Sequence, residues 1–134
     1  MRSGGPGRLP SLSLPAALVA ARAASAKTLE STVVLDVGDL IGITDYFIVT
    51  AGRNERQVRS IVDEVSRRVR EVAGLTVRGV EGLESSQWVL LDYGDFVVHV
   101  FETGARSLYS LERLWADAPR VDLDEPRPAE IVGS

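Results

Sequence analysis

The sequence predicts one mixed α/β domain in which helices pack on a sheet of five strands. Short runs rich in valine and isoleucine are separated by turn residues, a pattern typical of strands. One segment repeats apolar residues at helical spacing, and two apolar runs flank the tetrad at residues 92–95. The predicted element order is α-β-β-α-β-β-β-α. At 134 residues the chain can bury a core without a metal or a disulfide.

The first half of the chain predicts one helix and two strands. Residues 16–27 are rich in alanine, the best helix former, and Pro15 suits the first turn of a helix. Residues 32–37 and 46–51 are apolar and β-branched, so we expect strands there. The segment between them, residues 38–44, is predicted to be a loop.

A second helix is predicted from Asn54 to Gly74. Asn54 is a good N-cap, and Gln57 lies three residues later, as in a capping box. Gly74 is a typical helix stop. The apolar residues of this helix recur at helical spacing and predict one buried stripe: Val58, Ile61, Val62, Val65, Val69 and Val72.

The second half predicts a short strand, a hairpin and further helix. Residues 75–80 are the predicted third strand, and residues 88–101 form a hairpin that supplies the fourth and fifth. Residues 105–115 predict one or two short helical segments. The domain therefore spans residues 14–118, between a flexible Gly/Pro/Ser-rich leader at 1–13 and a flexible acidic tail at 119–134.

Composition excludes several classes of site. The chain has no cysteine and one histidine, which leaves no structural zinc set, thiol nucleophile or disulfide framework. Apolar runs are too short for a membrane span, so we expect a soluble, intracellular protein. Residues 1–29 lack acids, as organelle transit peptides do, but their alanine-rich part is better explained as the first helix.

Charge is distributed unevenly along the chain. Residues 1–80 carry 11 basic and 8 acidic side chains, whereas residues 81–134 carry 4 and 11. The halves are therefore near +3 and −7. An acidic second half argues against broad nucleic-acid binding and suits a basic protein partner, although it can also serve only solubility.

Three motifs have both a chemical and a structural interpretation. Gly52, Arg53 and Arg56 precede or begin a helix and could bind an anion, but an ordinary strand-to-helix turn is favoured. Aspartates three residues apart, at 36 and 39 and at 92 and 95, are better explained as turn caps than as magnesium ligands. His99 lacks a nucleophile and an orienting acid in the sequence, which favours a hydrogen-bonded strand residue over a general base.

Aromatic residues concentrate in the second half of the chain. They are interpreted mainly as core, but tryptophan and tyrosine beside acids at a hairpin rim are also typical of a protein interface. These residues are Trp88, Tyr93, Phe96, Phe101, Tyr109 and Trp115.

The chain resembles the Iojap-like ribosomal silencing factor family (RsfS). The most specific segments are Trp-Val-Leu-Leu-Asp-Tyr-Gly-Asp at 88–95, Val-Val-His-Val-Phe at 97–101 and Tyr-Ser-Leu-Glu-Arg-Leu-Trp at 109–115. Further matching segments are residues 20–24 with Lys27, 34–37, 44–52, 56–58 and 81–82.

The resemblance implies a nucleotidyltransferase-like topology without the catalytic carboxylates, and a cytoplasmic protein that is not an enzyme and needs no cofactor. It implies binding to the large ribosomal subunit through large-subunit ribosomal protein fourteen. That contact would block joining of the small subunit and repress translation when nutrients are short. Sequence-specific nucleic-acid binding and membrane binding are not expected.

By position in the family motifs, the resemblance implies a partner-binding site made of hairpin residues and supporting acids. These are Trp88, Leu90, Asp92, Tyr93, Asp95 and His99, with Asp45, Glu81 and Glu102. Two alternatives stay open: a nucleotide-binding enzyme that uses Gly52, Arg53 and Arg56, and a dimerisation module whose hairpin pairs with itself. A homodimer off the ribosome is compatible with ribosome binding and with both alternatives.

Overall fold

A computed structural model describes residues 12–123 of the chain. The helices are α1 (Leu14–Ser25), α2 (Gly38–Ile41), α3 (Glu55–Arg68), α4 (Thr103–Tyr109) and α5 (Leu111–Leu114). The strands are β1 (Val33–Asp36), β2 (Tyr46–Gly52), β3 (Gly79–Glu81), β4 (Trp88–Asp92), β5 (Phe96–Glu102) and β6 (Arg120–Val121). None of the helices between residues 12 and 123 is long and apolar enough to cross a membrane.

The strands form one mixed sheet in the order β3-β4-β5-β2-β1-β6. All neighbours are antiparallel except β2 and β5, which are parallel and joined through α3 and the β3/β4 strands. The mixed α/β class is confirmed, but the sheet has six strands and not five. The parallel pair is central, so β5 lies between its hairpin partner β4 and the distant strand β2.

The sixth strand comes from the segment predicted as a flexible tail. β6 pairs with the edge strand β1, with Val34 opposite Val121, and the Asp36 backbone N–H donates to the Pro119 carbonyl at 2.8 Å. A strand of two residues is too short to show a recognisable sequence pattern. The hydrogen-bonding groups of the β1 backbone stabilise β6. Residues 1–11 and 124–134, most of the predicted leader and tail, lie outside the described residues.

Two other element predictions need correction. The predicted loop at 38–44 contains α2, a single helical turn that ends at Gly42, whose φ is +75°. The predicted third strand at 75–80 is shorter and shifted to Gly79–Glu81, where β4 supplies its hydrogen-bonding partners. Both elements are too short to show a period of their own.

The predicted hairpin and its turn are confirmed. Gly94 has a φ of +85°, and the Tyr93 N–H donates to the Phe96 carbonyl at 3.0 Å across the turn. The Asp92 carboxylate also accepts from the Gly94 N–H at 2.7 Å. Glycine adopts this left-handed conformation at little cost, and an aspartate before it can cap the turn.

The cap and the stop of the second predicted helix are also confirmed. The Asn54 side chain accepts from the Gln57 N–H at 2.9 Å, and Gln57 accepts from the Arg53 N–H at 2.7 Å. After α3 the chain continues through a π-helical segment, Val69–Ala73, and stops at Gly74 with a φ of +71°.

The sheet has two different faces. On one face α1 and α3 cover Ile48, Leu91, Val98 and Val100, all of them fully buried. The apolar stripe of the second predicted helix packs on this face as predicted, except that Val72 is 56% exposed. On the other face α4 and α5 pack against Phe47, Val49 and Phe101 through Ala105, Leu111 and Trp115. This second layer is thin, which leaves part of the second face accessible.

Candidate protein interface

One part of the second face borders a surface depression and is called here the open sheet face. It consists of the half-buried Leu90, Asp92 and Val97 and the buried Phe47 and His99. Residues opposite each other on antiparallel strands project to the same side of a sheet. Leu90 lies opposite His99, and Asp92 lies opposite Val97. Parallel pairing then sets Phe47 beside Val97. The hairpin therefore presents alternate residues of both its strands on this face.

Two more predicted residues lie beside the open sheet face. Glu81 is opposite Leu90 on the neighbouring strand and is exposed. Trp88 is opposite Phe101 and half-buried. Five of the nine predicted site residues, Glu81, Trp88, Leu90, Asp92 and His99, are thus brought to one side of the sheet.

A depression of about 380 Å³ lies on this face. Its floor comes from the open sheet face, and its rim comes from the end of α2, the chain leading to β2, the residue before β3 and the hairpin turn. The rim residues are Ile41, Ile43, Thr44, Arg78 and Gly94. Ile43 is 87% exposed, so an apolar side chain stands at the edge of a mostly apolar hollow. This shape suits an inserted side chain of a protein partner better than a flat contact.

His99 is the buried polar residue of the depression. The Trp88 indole N–H donates to its Nδ1 at 3.1 Å, and the Phe47 ring meets it edge-on with centroids 4.6 Å apart. Burial lowers the pKa of His99 to about 4, so the ring is neutral at physiological pH. Its ring contacts are aromatic, with Phe47, Trp88 and Phe101. This setting is that of a packed, hydrogen-bonded strand residue.

The aromatic side chains around His99 divide between core and surface. Phe101 is fully buried, whereas Tyr109 is half exposed, and its ring is tilted by 47° against Trp88 with centroids 4.8 Å apart. Trp88 joins the two sets, because its other face lies 4.9 Å from the Phe101 ring. Within this one cluster, some aromatic residues are therefore core residues and others lie at the surface.

Tyr93 is not on the open sheet face. It is 7% exposed and packs in the helix-side core, with its ring stacked on Phe96 at 4.8 Å. Burial raises the pKa of the Tyr93 hydroxyl, and the neighbouring Ser66 and Arg70 oppose that rise. The prediction of Tyr93 as a surface contact is corrected, because alternation continued from β4 places residue 93 on the side of Leu91, away from Leu90 and Asp92.

Three predicted acids have other surroundings. Asp45 accepts from the Ser13 hydroxyl at 3.1 Å, at the start of α1. Glu102 caps α4, with its carboxylate accepting from the Gly104 N–H at 3.1 Å. Asp95 is exposed in the hairpin turn, near the site but not on the sheet. Only Asp95 of these three has a carboxylate that faces solvent at the hairpin end.

The sequence reasoning missed the residues that complete the depression. Phe47 and Val97 were assigned to strands, but their shared face depends on the parallel β2/β5 pairing. Period-2 alternation with His99 could have identified Val97. Ile41, Ile43, Thr44 and Arg78 carry no local signal, because separate chain segments bring them to the rim.

Two of the four aspartates considered as magnesium ligands cap the local backbone. The Asp36 carboxylate accepts from the Gly38 N–H at 3.2 Å, as the Asp92 carboxylate does from Gly94. Within the described part of the chain, no group of three or more acids and histidines is arranged to hold a metal ion.

The start of α3 has few free donors for an anion. The Gln57 N–H and the Arg53 N–H are both taken by side chains of the capping pair. The adjoining groove contains the acids Glu55, Asp63 and Glu64 as well as arginines. These carboxylates would oppose a phosphate, so the ordinary strand-to-helix turn describes this region better.

Comparisons with known proteins agree on one family. A family model described as "Ribosomal silencing factor during starvation" matches residues 10–132. A ribosomal silencing factor from Bacillus subtilis is 42% identical over 106 residues, which are 79% of this chain and 89% of the relative. The chloroplastic protein Iojap of Zea mays is 30% identical over 105 residues, covering 77% of this chain and 44% of that protein.

Two solved structures have a similar fold. A crystal structure of a Bacillus halodurans protein is 35% identical, with a TM-score of 0.68, and covers 81% of this chain and 98% of that one. One of a Chromobacterium violaceum protein is 32% identical, with a TM-score of 0.73, and covers 84% and 96%. On the extent of the family match and the identity to curated relatives, this chain belongs to the ribosomal silencing factor family.

Proposed function

We propose that this protein binds the large ribosomal subunit through large-subunit ribosomal protein fourteen and thereby blocks joining of the small subunit. Translation would then fall when nutrients are limiting, in line with the starvation role in the family description. The partner implies a cytoplasmic location. The mechanism is steric: a folded domain occupies the joining surface, and no bond is made or broken.

The observation that carries this proposal is the open sheet face beside exposed acids. Leu90, Val97 and Phe47 supply apolar contact area around the depression. Glu81 and Asp95 are exposed near it, and Asp92 lines it. An apolar centre with a charged rim is the usual anatomy of a protein interface. Acidic rims favour a basic partner, since complementary charge speeds encounter.

Sedimentation with separated ribosomal subunits tests the proposal. The wild-type protein should migrate with the large subunit and not with the small one. Preincubated large subunits should then form fewer joined ribosomes when small subunits are added.

A matched pair of variants locates the contact. Leu90→Arg places a cation in the depression and should weaken large-subunit binding by about tenfold or more. Val72→Arg makes the same change at an exposed apolar residue on the helix side, and should bind as the wild type does. Absence of wild-type binding would refute the function, and normal binding by Leu90→Arg would refute this site.

A further inference from the structure

Two buried polar atoms in the depression have no hydrogen-bond partner among the described residues. They are His99 Nε2 and Thr44 Oγ1. The two side chains are 4% and 8% exposed, and both residues line the depression. Buried polar groups are nearly always hydrogen-bonded in folded proteins. Two such atoms without a partner in residues of the same depression therefore need an explanation.

Trp88 determines what His99 can offer. An indole N–H is only a donor, so Nδ1 of His99 must be the unprotonated acceptor of the 3.1 Å hydrogen bond. A neutral imidazole then carries its proton on Nε2. The unpaired atom is therefore an N–H donor, held in one orientation by Trp88 and by the edge-on ring of Phe47.

The surroundings define the acceptor that would suit this donor. Asp92 lines the depression, while Glu81 and Asp95 are exposed near it. Arg78 also lines the depression, but these three acids outnumber it and disfavour a carboxylate or a phosphate from a partner. A backbone carbonyl has no net charge and matches a neutral imidazole N–H. The apolar lining, with Ile41, Phe47, Leu90 and Val97, suits an aliphatic side chain on the same segment.

We infer that the depression receives an apolar side chain of the bound ribosomal protein, and that His99 Nε2–H donates to a backbone carbonyl of that same segment. The inference rests on the proposed function. His99 is the contact residue, and Trp88 is the positioning residue that fixes the tautomer. Solvent does not reach Nε2 in the free protein. The incoming segment therefore displaces rim side chains, among which Ile43 is the most exposed.

Nitrogen-15 NMR of the imidazole tests this directly, because His99 is the only histidine of the chain. The protein labelled on histidine should show the Nε2–H tautomer when free. On addition of unlabelled ribosomal protein fourteen, the Hε2 resonance should shift downfield and exchange with water at least about tenfold more slowly. A complex that leaves both properties unchanged would overturn the inference and keep the proposed function. If no complex forms with that protein or with the large subunit, both fail.

Variants test the same inference through binding affinity. His99→Phe keeps the ring and removes the donor, so binding of ribosomal protein fourteen should weaken about tenfold. Tyr93→Phe is the matched control, because it removes a buried hydroxyl on the opposite side of the sheet. It should bind as the wild type does. Equal affinity of His99→Phe and wild type would contradict the inference.

Trp88→Phe separates positioning from packing. It removes the donor to Nδ1 and should allow the Nδ1–H tautomer to appear in the free protein, with a parallel loss of affinity. A purely structural tryptophan would leave the tautomer unchanged. This readout also holds if His99→Phe fails to fold.

Discussion

His99 combines a core environment with a place beside the candidate interface, because it is central on β5 where one face of the sheet is only partly covered. It is 4% exposed, yet it borders the depression and interacts with Trp88. Burial in this position penalises the charged imidazole. The consequence is a measurable coupling between protonation and folding.

The pH dependence of stability has a definite sign at this residue. The pKa of His99 is lowered from 6.5 to about 4 in the folded protein, so the unfolded chain binds the proton more readily. The stability that the neutral, buried imidazole contributes is fully present above about pH 6.5 and is lost as pH falls toward 4. Between about pH 7.5 and pH 5 the free energy of unfolding should fall by about 2 kcal/mol on this account.

Urea denaturation at the two pH values measures the effect. His99→Phe is the control, since a phenyl ring binds no proton and the pH slope should shrink by the same amount. An equal slope in the wild type and the variant would assign the dependence to other groups.

Gly82 is the residue at which a side chain is least tolerated. Its φ is +90°, and an added Cβ would overlap the Trp88 carbonyl oxygen. Gly82→Ala should therefore destabilise the fold by about 3 kcal/mol or more, through backbone strain and displacement of β4. Thermal denaturation measures it.

Gly74→Ala is the matched comparison, because Gly74 has a φ of +71° and nothing within 4 Å of an added Cβ. Its cost should be about 1 kcal/mol, from left-handed backbone alone. Equal effects of the two substitutions would show that the contact with Trp88 does not matter.

At the scale of elements, the α4/α5 pair depends on one arginine. Arg106 of α4 makes two hydrogen bonds of 3.0 Å to Glu112 of α5, and it also donates to the Ser31 carbonyl before β1. These side chains are only 11% and 24% exposed. Charge-assisted, bidentate pairs of this kind contribute more than exposed ones.

Arg106→Gln should lower the free energy of unfolding by about 2 kcal/mol, since it leaves Glu112 and a carbonyl without their donor. Arg67→Gln is the control: Arg67 pairs with Glu64 and Glu71 on the exposed side of α3 and its side chain is 47% exposed. That change should cost no more than about 0.5 kcal/mol. Chemical denaturation of the two variants decides between these expectations, and similar losses would contradict them.

Elements with strong local signals were predicted well, and the others were not. The α3 helix was recognisable because Asn54, Gln57 and Gly74 act within a few residues of each other. By contrast, α2 is a single turn of four residues, and β6 has two residues whose hydrogen-bond partners lie on β1. No local pattern can encode an element that a distant neighbour stabilises.

For the whole molecule, the acidic second half should govern the rate of association with a basic partner. Glu81 and Asp95 are exposed beside the candidate interface. Glu81→Gln combined with Asp95→Asn should slow association with ribosomal protein fourteen by about threefold or more at low salt, and reduce its salt dependence.

Asp63→Asn combined with Glu71→Gln removes the same charge from exposed positions of the helix layer. This control should associate at nearly the wild-type rate. Stopped-flow measurements over a range of salt concentrations compare the two pairs. If both pairs slow association equally, net charge and not its placement governs the rate.

The sequence by itself determined the class of fold, the hairpin with its glycine turn, the capped helix and the family. These depend on residues near each other in the chain or on a motif read in order. Through the family resemblance it also indicated Trp88, Leu90, Asp92 and His99, by their position in the family motifs. Strand alternation already places Tyr93 on the side of Leu91, away from Asp92. Tertiary structure alone decided that this side is the helix-side core, that β6 completes the sheet and that Phe47, Thr44 and Arg78 meet at the depression. The reason is physical: strand register and parallel pairing join segments about fifty residues apart, and no local preference fixes which side chains then become neighbours.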